Sequence, residues 1–527
     1  MLEVRGAFVV PIAKMIAVLH PLAGRRKHLA DFYTNLAGPG VYSMEAAGQT
    51  VREHQTGTAA KDQPMKTTIG SPGLVILGLG LFIGGCTQKP PAASGSLKNS
   101  EAAAQLKTFV ADKEAQADAS TGGKDVSVFK PFYAAAEQGD WLAISNTFVN
   151  LSRRAPQYEH SGPSDERLHG TAWEAVKEIS GAFDAFGEGD EKYSMAFGTN
   201  IIASIPAGSI YFGGTDPGRF IITALQKSHA AGDPFFTLTQ NALADATYLE
   251  YLRGMYGAKI YTPTDEDSKK CFQDYTQDVA QRRSKNQLKW GEDVKTGPDG
   301  QIQVSGPIAE MQILGLMVKL ILDKNPDREF YIEESFPFDW MYPYLEPHGL
   351  IFKINHQPLP GLSDEIVEQD HDYWRSLVRP MIGDWLNDET PVEEVAVFAK
   401  KTFGKQDFSG FTGDPRFIQN AYSHRMFSKL RSSIAGLYAW RLKQAAGVAE
   451  KERLGREADF AFRQAWALCP YSPEAVFRYV NLLMEQKRVA DALVVAETAA
   501  QMPANQGKEG EQIRGLVEQL KKFQKAK

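Results

Sequence analysis

Apolar positions recur at near-helical spacing through both ends of the chain, with a central stretch of short β-rich runs between them. Residues Glu101 to Asp118 read as a polar helix, and Val128 to Arg154 as two short amphipathic helices broken at Gly139-Asp140, with Phe132, Ala135, Leu142, Ile144, Phe148 and Leu151 marking the apolar face. Leu168 to Ala185 predicts a further helix carrying Trp173 and Ile179. The character changes at Pro206. The run Gly208 to Gly214 predicts a strand, Thr215 to Arg219 a loop and Phe220 to His229 a helix, and Asp233-Pro234 opens a second strand over Phe235 to Thr239. Ala244 to Tyr256 continues as a helix closed by Gly257, and Ile308 to Leu322 is a strongly apolar helix. After the break Asn325 to Arg328 come a third strand at Glu329 to Glu333, a helical turn at Asp339 to Leu345 and a fourth strand at Leu350 to Asn355. Strands alternating with helices imply an α/β fold with a small, mainly parallel sheet and helices packed on it, flanked by all-α regions.

Beyond Ile434 to Ala445, which supplies Leu437, Tyr438 and Trp440, the pattern repeats. Ala458, Phe462 and Ala465 are matched 34 residues later by Ala492, Ala496 and Ala499, and Pro470 by Pro503 one place early. The spacing resembles that of tetratricopeptide repeats, whose small residues let two helices pack closely. Between one and a half and two repeats are visible, fewer than a free-standing array needs, so they are expected to dock on the α/β part or on the helices between Ser363 and Leu430. The pair around Gly139-Asp140 reads equally as a degenerate hairpin of that kind or as a generic helical pair.

Composition narrows the classes. The 527 residues are 43% hydrophobic and 23% charged, enough for sizeable cores and several domains, which excludes a disordered tail or a disulfide scaffold. With 58 Lys+Arg against 64 Asp+Glu and no long basic run, nucleic acid is not an expected partner. Cys86, Cys271 and Cys469 lie apart from one another and from any His at ligand spacing, so no metal site and no cofactor is expected.

Residues Ile69 to Gly85 form the longest uncharged apolar run, preceded by Met65-Lys66 and ended by Ile83-Gly84-Gly85-Cys86. Its core, Leu74 to Ile83, is short and Gly-rich for a membrane span. The ending resembles the lipobox of bacterial lipoproteins, which implies acylation of the Cys86 thiol and cleavage before it. Acyl chains at about 0.8 kcal/mol per buried CH₂ then hold a folded domain on a bacterial envelope membrane, at the outer membrane or its periplasmic face. Residues 1 to 64 read as an extension before the true start at Met65. Without residues 1 to 85, which hold eight Lys/Arg and five Asp/Glu, the charge becomes about −9. Thr87 to Ser96 is Pro/Ser/Gly/Ala-rich, the composition of a tether. The expected organisation is an extension over 1–64, a lipoprotein signal peptide over 65–85, a tether and polar helix over 86–125, a helical region over 126–205, an α/β domain over 206–362, a helical connector over 363–430 and tetratricopeptide-like helices over 431–527.

The order Ile-Pro-x-Gly-Ser-Ile-Tyr-Phe-Gly-Gly-x-Asp from Ile205, Asp-Pro-Phe-Phe-Thr-Leu from Asp233, Asn-Pro-Asp-Arg-Glu-Phe-Tyr-Ile from Asn325 and Gly-Leu-Ile-Phe-Lys-Ile from Gly349 resembles the soluble α/β domain of bacterial protein O-mannosyltransferase-like membrane glycosyltransferases, over roughly residues 200 to 360. In such enzymes a second acidic residue stands in the first loop, where this chain has Pro217-Gly218-Arg219, and catalysis belongs to a multi-span membrane part.

The loop Gly213 to Arg219, between strand and helix, faces the crevice at the strand C-termini and is the candidate ligand site. Asp216 and Arg219, with Asn241 and Asp245 after the second strand, would hydrogen-bond a polar ligand such as a sugar. The local alternative makes Asp216 a helix N-cap, Pro217 the first helical residue and Gly214 a turn residue. The loop matches neither the G-x-x-x-x-G-K-S/T nor the G-x-G-x-x-G phosphate pattern. The aromatic stretch Phe330, Tyr331, Phe336, Phe338, Trp340, Tyr342 and Tyr344 fits core packing or sugar stacking. Glu333, Glu334 and Asp339 could pair for glycoside hydrolysis or be solvated strand-end acids, and His229, His348, His356, His371 and His424 are expected to be structural or surface residues. Cys271 and Cys469 are expected to be free and buried. Two readings follow. One is a lipid-anchored envelope scaffold that binds protein partners through its helical repeats; the other is an extracytoplasmic glycan-binding protein, or accessory or enzyme of protein glycosylation, that uses the crevice. No catalytic set is demanded by the sequence.

Overall fold

The computed structural model describes residues 101–120, 125–156, 164–226, 234–289, 291–297 and 301–525. The extension, the lipobox-like segment with Cys86, the tether and His229 lie outside the described residues.

The amphipathic N-terminal pattern becomes α1 (Glu101–Ser120), α2 (Lys130–Glu137), α3 (Trp141–Ser152), α4 (Thr171–Glu188) and α5 (Glu191–Ser204). Phe148 stacks on Trp173 with ring centroids 5.5 Å apart, which fixes α3 against α4. Lys113 of α1, fully buried, reaches Glu178 of α4 at 2.5 Å. A buried cation held this way is stable only because its partner is buried with it.

The sheet begins with β1 (Ile210–Gly213), followed by α6 (Asp216–Leu225), β2 (Phe236–Thr239) and α7 (Ala246–Tyr256). After α8 (Asp265–Ser284), an exposed hairpin of β3 (Asp293–Thr296) and β4 (Ile302–Ser305), and α9 (Pro307–Lys324) comes β5 (Phe330–Glu333), then β6 (Leu345–His348) and β7 (Ile351–Ile354). The five-stranded order is β2-β1-β5-β7-β6. The expected mainly parallel sheet is corrected here to a mixed one: β1 pairs parallel with β2 and β5, whereas β7 pairs antiparallel with β5 and β6. The reason is the tight link between β6 and β7, where Gly349 takes φ +62 at the first turn position, a conformation that closes a two-residue hairpin and leaves no room for a crossover helix. The predicted helical turn at 339–345 shrinks to Tyr342–Tyr344, and Leu345 already belongs to β6. Pro347 argues against a strand in sequence, but β6 is the edge of the sheet, where a missing N–H costs no ladder bond.

Every residue of β1, β2 and β5 is buried, as expected of parallel strands covered on both faces. The chain continues through α10 (Asp364–Ile382), α11 (Val392–Ala399), a π-helical turn at Lys400–Gly404 and α12 (Pro415–Gln419). It ends in α13 (Ala421–Gln444), α14 (Val448–Leu468), α15 (Pro473–Glu485), α16 (Val489–Gln501) and α17 (Glu511–Lys525). One apolar core runs from Ala102 to Leu520 through all of these layers. Asp370 of α10 and Arg431 of α13, both buried, pair at 2.7 Å and tie the helical connector to the C-terminal helices. Cys271 and Cys469 are free and buried. Among the described residues no helix is long and apolar enough to cross a membrane.

Candidate functional site at the strand ends

Registry places Gly213, Thr239 and Glu333 side by side, so the three parallel strands end level and release their next residues into one region. These are Gly214-Thr215-Asp216 after β1, Gln240-Asn241 after β2 and Glu334 after β5. The crevice outside the carboxyl ends of such strands is where open α/β sheets bind ligands.

Glu333 is buried against the start of α6. Its carboxylate accepts from the Thr215 N–H at 2.9 Å and from the Thr215 hydroxyl at 2.7 Å, and that hydroxyl accepts from the Gly218 N–H at 3.2 Å. Thr215, not Asp216, therefore caps the helix, which corrects the local alternative: Asp216 is the first helical residue and Pro217 follows it. A methyl group on Gly218 would stand 1.7 Å from a Glu333 carboxylate oxygen, so the absent Cβ is what admits the acid. Burial pushes the Glu333 carboxyl up, while its bonds to Thr215 and Gly214 pull it back.

Glu334 turns toward the other side of the same loop. It accepts from the Gln240 side-chain amide at 2.9 Å and from the Phe336 N–H at 3.1 Å, and a Cβ on Gly214 would come within 2.1 Å of its carboxylate. Burial of its carboxyl, and then the Glu333 charge, push Glu334 up to about 7 although its residue keeps partial contact with solvent. A carboxyl poised near neutrality at the edge of a cleft can both donate and accept a proton.

The far wall is helical. Tyr422, Arg425, Lys429 and Ser433 recur along one stripe of α13. Ser433 donates to the Glu334 backbone carbonyl at 2.7 Å, and Lys429 lies in electrostatic reach of both acids while pairing with Glu474 of α15 at 3.5 Å. Arg478 of α15 donates to the Ser335 carbonyl at 2.6 Å and covers the Phe336 ring at 4.0 Å. Asp184 and Glu188 of α4 complete the mouth. Both are solvent-exposed yet crowded by protein atoms, and crowding, then Glu188 and Asp216, raises Asp184 to about 7.

Of the four sequence-derived site residues, three gather at this loop. Asp216 pairs with Arg219, whose guanidinium also lies over the Phe220 ring at 4.4 Å, and Asn241 donates to the Gly214 carbonyl at 2.9 Å. Asp245 is engaged elsewhere, capping α7 through the Thr247 and Tyr248 N–H groups. Thr215, Gln240 and the α13 stripe were not singled out from sequence, although a polar residue every three or four positions on an otherwise buried helix is a usable signal. In the aromatic stretch, Phe330, Tyr331 and Phe338 are core, and Tyr342 packs against Trp440 of α13 with tilted rings 5.7 Å apart. Asp339 is exposed. Among the described residues no group of three His, Cys, Asp or Glu side chains is arranged to hold a metal ion. No family profile, curated protein or solved structure matches the chain.

Proposed function

We propose that this protein is an extracytoplasmic glycan-binding protein of the bacterial envelope, lipid-anchored through Cys86, with the strand-end crevice as its site. The observation that carries this reading is the level ending of β1, β2 and β5, which brings Gly214, Gln240, Asn241 and Glu334 together, with the Glu334 carboxyl raised by burial and by Glu333 while its residue still reaches solvent. Beside that carboxyl stand the partly exposed Asn241 side chain and, buried beneath, the Gln240 amide that donates to it. Such a set offers both donors and acceptors to a hydroxyl-rich, uncharged ligand, and a site built to hydrogen-bond hydroxyls discriminates strongly against ligands that lack them. The α13 stripe supports this reading, because it packs beside the loop, with buried Ser433 bonded to the Glu334 carbonyl and Lys429 in electrostatic reach of the acid. The lipobox-like segment and the resemblance of residues 200 to 360 to the soluble domain of glycosyltransferases point in the same direction. Titration of the purified chain against an array of oligosaccharides tests the proposal. Binding lost in Glu334→Gln, with no loss of stability in thermal melts, is the expected result, and an array with no binder refutes it.

A second reading, a scaffold that takes protein partners through tetratricopeptide-like helices, is favoured by one feature. Ala458, Phe462 and Ala465 on α14 and their counterparts Ala492, Ala496 and Ala499 on α16 are all buried, in helices that close successive hairpins. Cross-linking in intact cells distinguishes the readings: partners captured from α15 to α17, insensitive to Glu334→Gln, support the scaffold.

A further inference from the structure

We propose that a cavity beside the start of α13, away from the strand-end loop, binds a small uncharged aromatic molecule. The cavity has a volume of about 250 Å³ and is half open to solvent. Its floor is Phe403, Ile418, His424, Tyr471 and Met502, all buried, and its rim includes the exposed residues Gln406, Gln419, Ala421 and Ala504.

Two local departures from regular structure and one buried histidine converge on it. First, the end of α11 widens into the π-helical turn Lys400–Gly404, which brings Phe403 to the floor. Single π turns are uncommon in helices and gather at functional sites. Second, Gln406 takes φ +53, in the left-handed region that a side chain disfavours, and its amide donates to the Thr402 and Phe403 carbonyls at 3.2 and 3.3 Å. That bond satisfies carbonyls the widened turn releases, so the strained residue and the π turn hold each other in place. Third, His424 is buried with its protonation pattern set. A carbonyl can only accept, so Nδ1 donates to Phe417 O at 3.3 Å, and Nε2 is left to accept from the Tyr471 hydroxyl at 2.5 Å. Burial drives the imidazole down to about 3, so it stays neutral.

The lining identifies the ligand class. It contains no charged side chain, so an ion entering would lose hydration without compensation. Ring edges dominate the floor: Phe403 meets His424 edge-on at 5.2 Å, His424 meets Tyr471 edge-on at 5.3 Å, and the Met502 thioether adds a polarisable contact suited to a ring. A cavity of about 150 Å³ accepts benzene, so this one has room for a bicycle of indole size. The Gln419 amide at the mouth can meet one polar edge of such a ring. Arg425, from the neighbouring stripe of α13, lies over the Tyr471 ring at 5.2 Å.

Saturation-transfer NMR and thermal melts of the purified full chain with indole, phenol and benzoate test the proposal. Indole and phenol should receive saturation at millimolar concentration and raise the melting temperature, and benzoate at neutral pH should do neither. Ala504→Trp, on the exposed rim, should weaken indole at least tenfold without lowering the melting temperature of the ligand-free protein; Ala421→Phe fills the mouth from the other side and serves if the first variant does not fold. Absence of transfer to indole, equal binding of benzoate, or binding that survives both substitutions overturns the proposal.

Discussion

Glu333 and Thr215, 118 residues apart in the chain, share two hydrogen bonds that join the end of β5 to the first turn of α6. Thr215 spends its hydroxyl twice, donating to the acid and accepting from the Gly218 N–H. Thr215→Val keeps the shape and removes both bonds. It should cost about 2–4 kcal/mol in urea unfolding, the sum of a lost cap and a lost bond to a buried carboxylate. Thr215→Ser should cost less than about 1 kcal/mol, since the hydroxyl is kept.

Gly218 and Glu333 compete for one volume, because a methyl group on Gly218 would stand 1.7 Å from the acid. Gly218→Ala alone should therefore destabilise by about 2 kcal/mol or more through overpacking. In a Glu333→Ala background the same change should cost less than about 1 kcal/mol, since the clashing group is gone. Equal costs in the two backgrounds would show that the contact is not the cause.

Glu334 titrates near 7 when folded against an ordinary value of 4.5, so the folded chain binds the extra proton between those values. Stability contributed by the protonated form is present below the unfolded value and is lost as pH rises through the folded one. Glu334→Gln stays neutral at all pH. It should match the parent at pH 4 and exceed it at pH 8 by about 1–2 kcal/mol, less than the full shift implies because the residue keeps solvent contact. Denaturant melts across this range measure the difference.

Asp370 neutralises Arg431 inside the protein, and its same carboxylate oxygen accepts from the Tyr438 hydroxyl at 2.8 Å. Asp370→Ala leaves a guanidinium buried without its counter-charge and should cost about 3–5 kcal/mol. Replacing the pair together, as Asp370→Leu with Arg431→Met, should recover most of that loss in thermal unfolding, because packing replaces the pair without an orphaned charge.

Cys469 is fully buried and burial pushes its thiol up to about 12, while Cys271 is buried on α8 and also raised. Neither should react with a thiol reagent in the native protein on the timescale of minutes, and both should react in denaturant. A non-reducing gel should show no internal disulfide, and a mobility shift abolished by Cys469→Ser would contradict this.

Local pattern was enough to locate β1, β2, β5 and β7 and the apolar helix before β5, because short β-rich runs and 3.6-residue spacing report the burial of each segment directly, but it started the helix after β1 four residues late, at Phe220 instead of Asp216. It was not enough for β6, whose Pro347 is tolerated only because the strand lies at an edge, nor for the exposed hairpin of β3 and β4. The helix α8 also escaped, since only three of its residues are buried and its pattern is mostly polar. The loop after β1 was visible as a candidate site from its place between strand and helix. Its chemistry was not, because Glu333 and Glu334 acquire their properties from Thr215, Gln240, Lys429 and Ser433, which come from other strands and from α13. Sequence by itself marks most of the residues that leave water through the spacing of apolar side chains, although Leu142, read on the apolar face, stays 70% exposed and Lys113, in a helix read as polar, is buried. Only the tertiary structure decides which distant polar groups then meet, and in a desolvated site those meetings set whether a carboxyl is a cap, a structural acid or a proton donor.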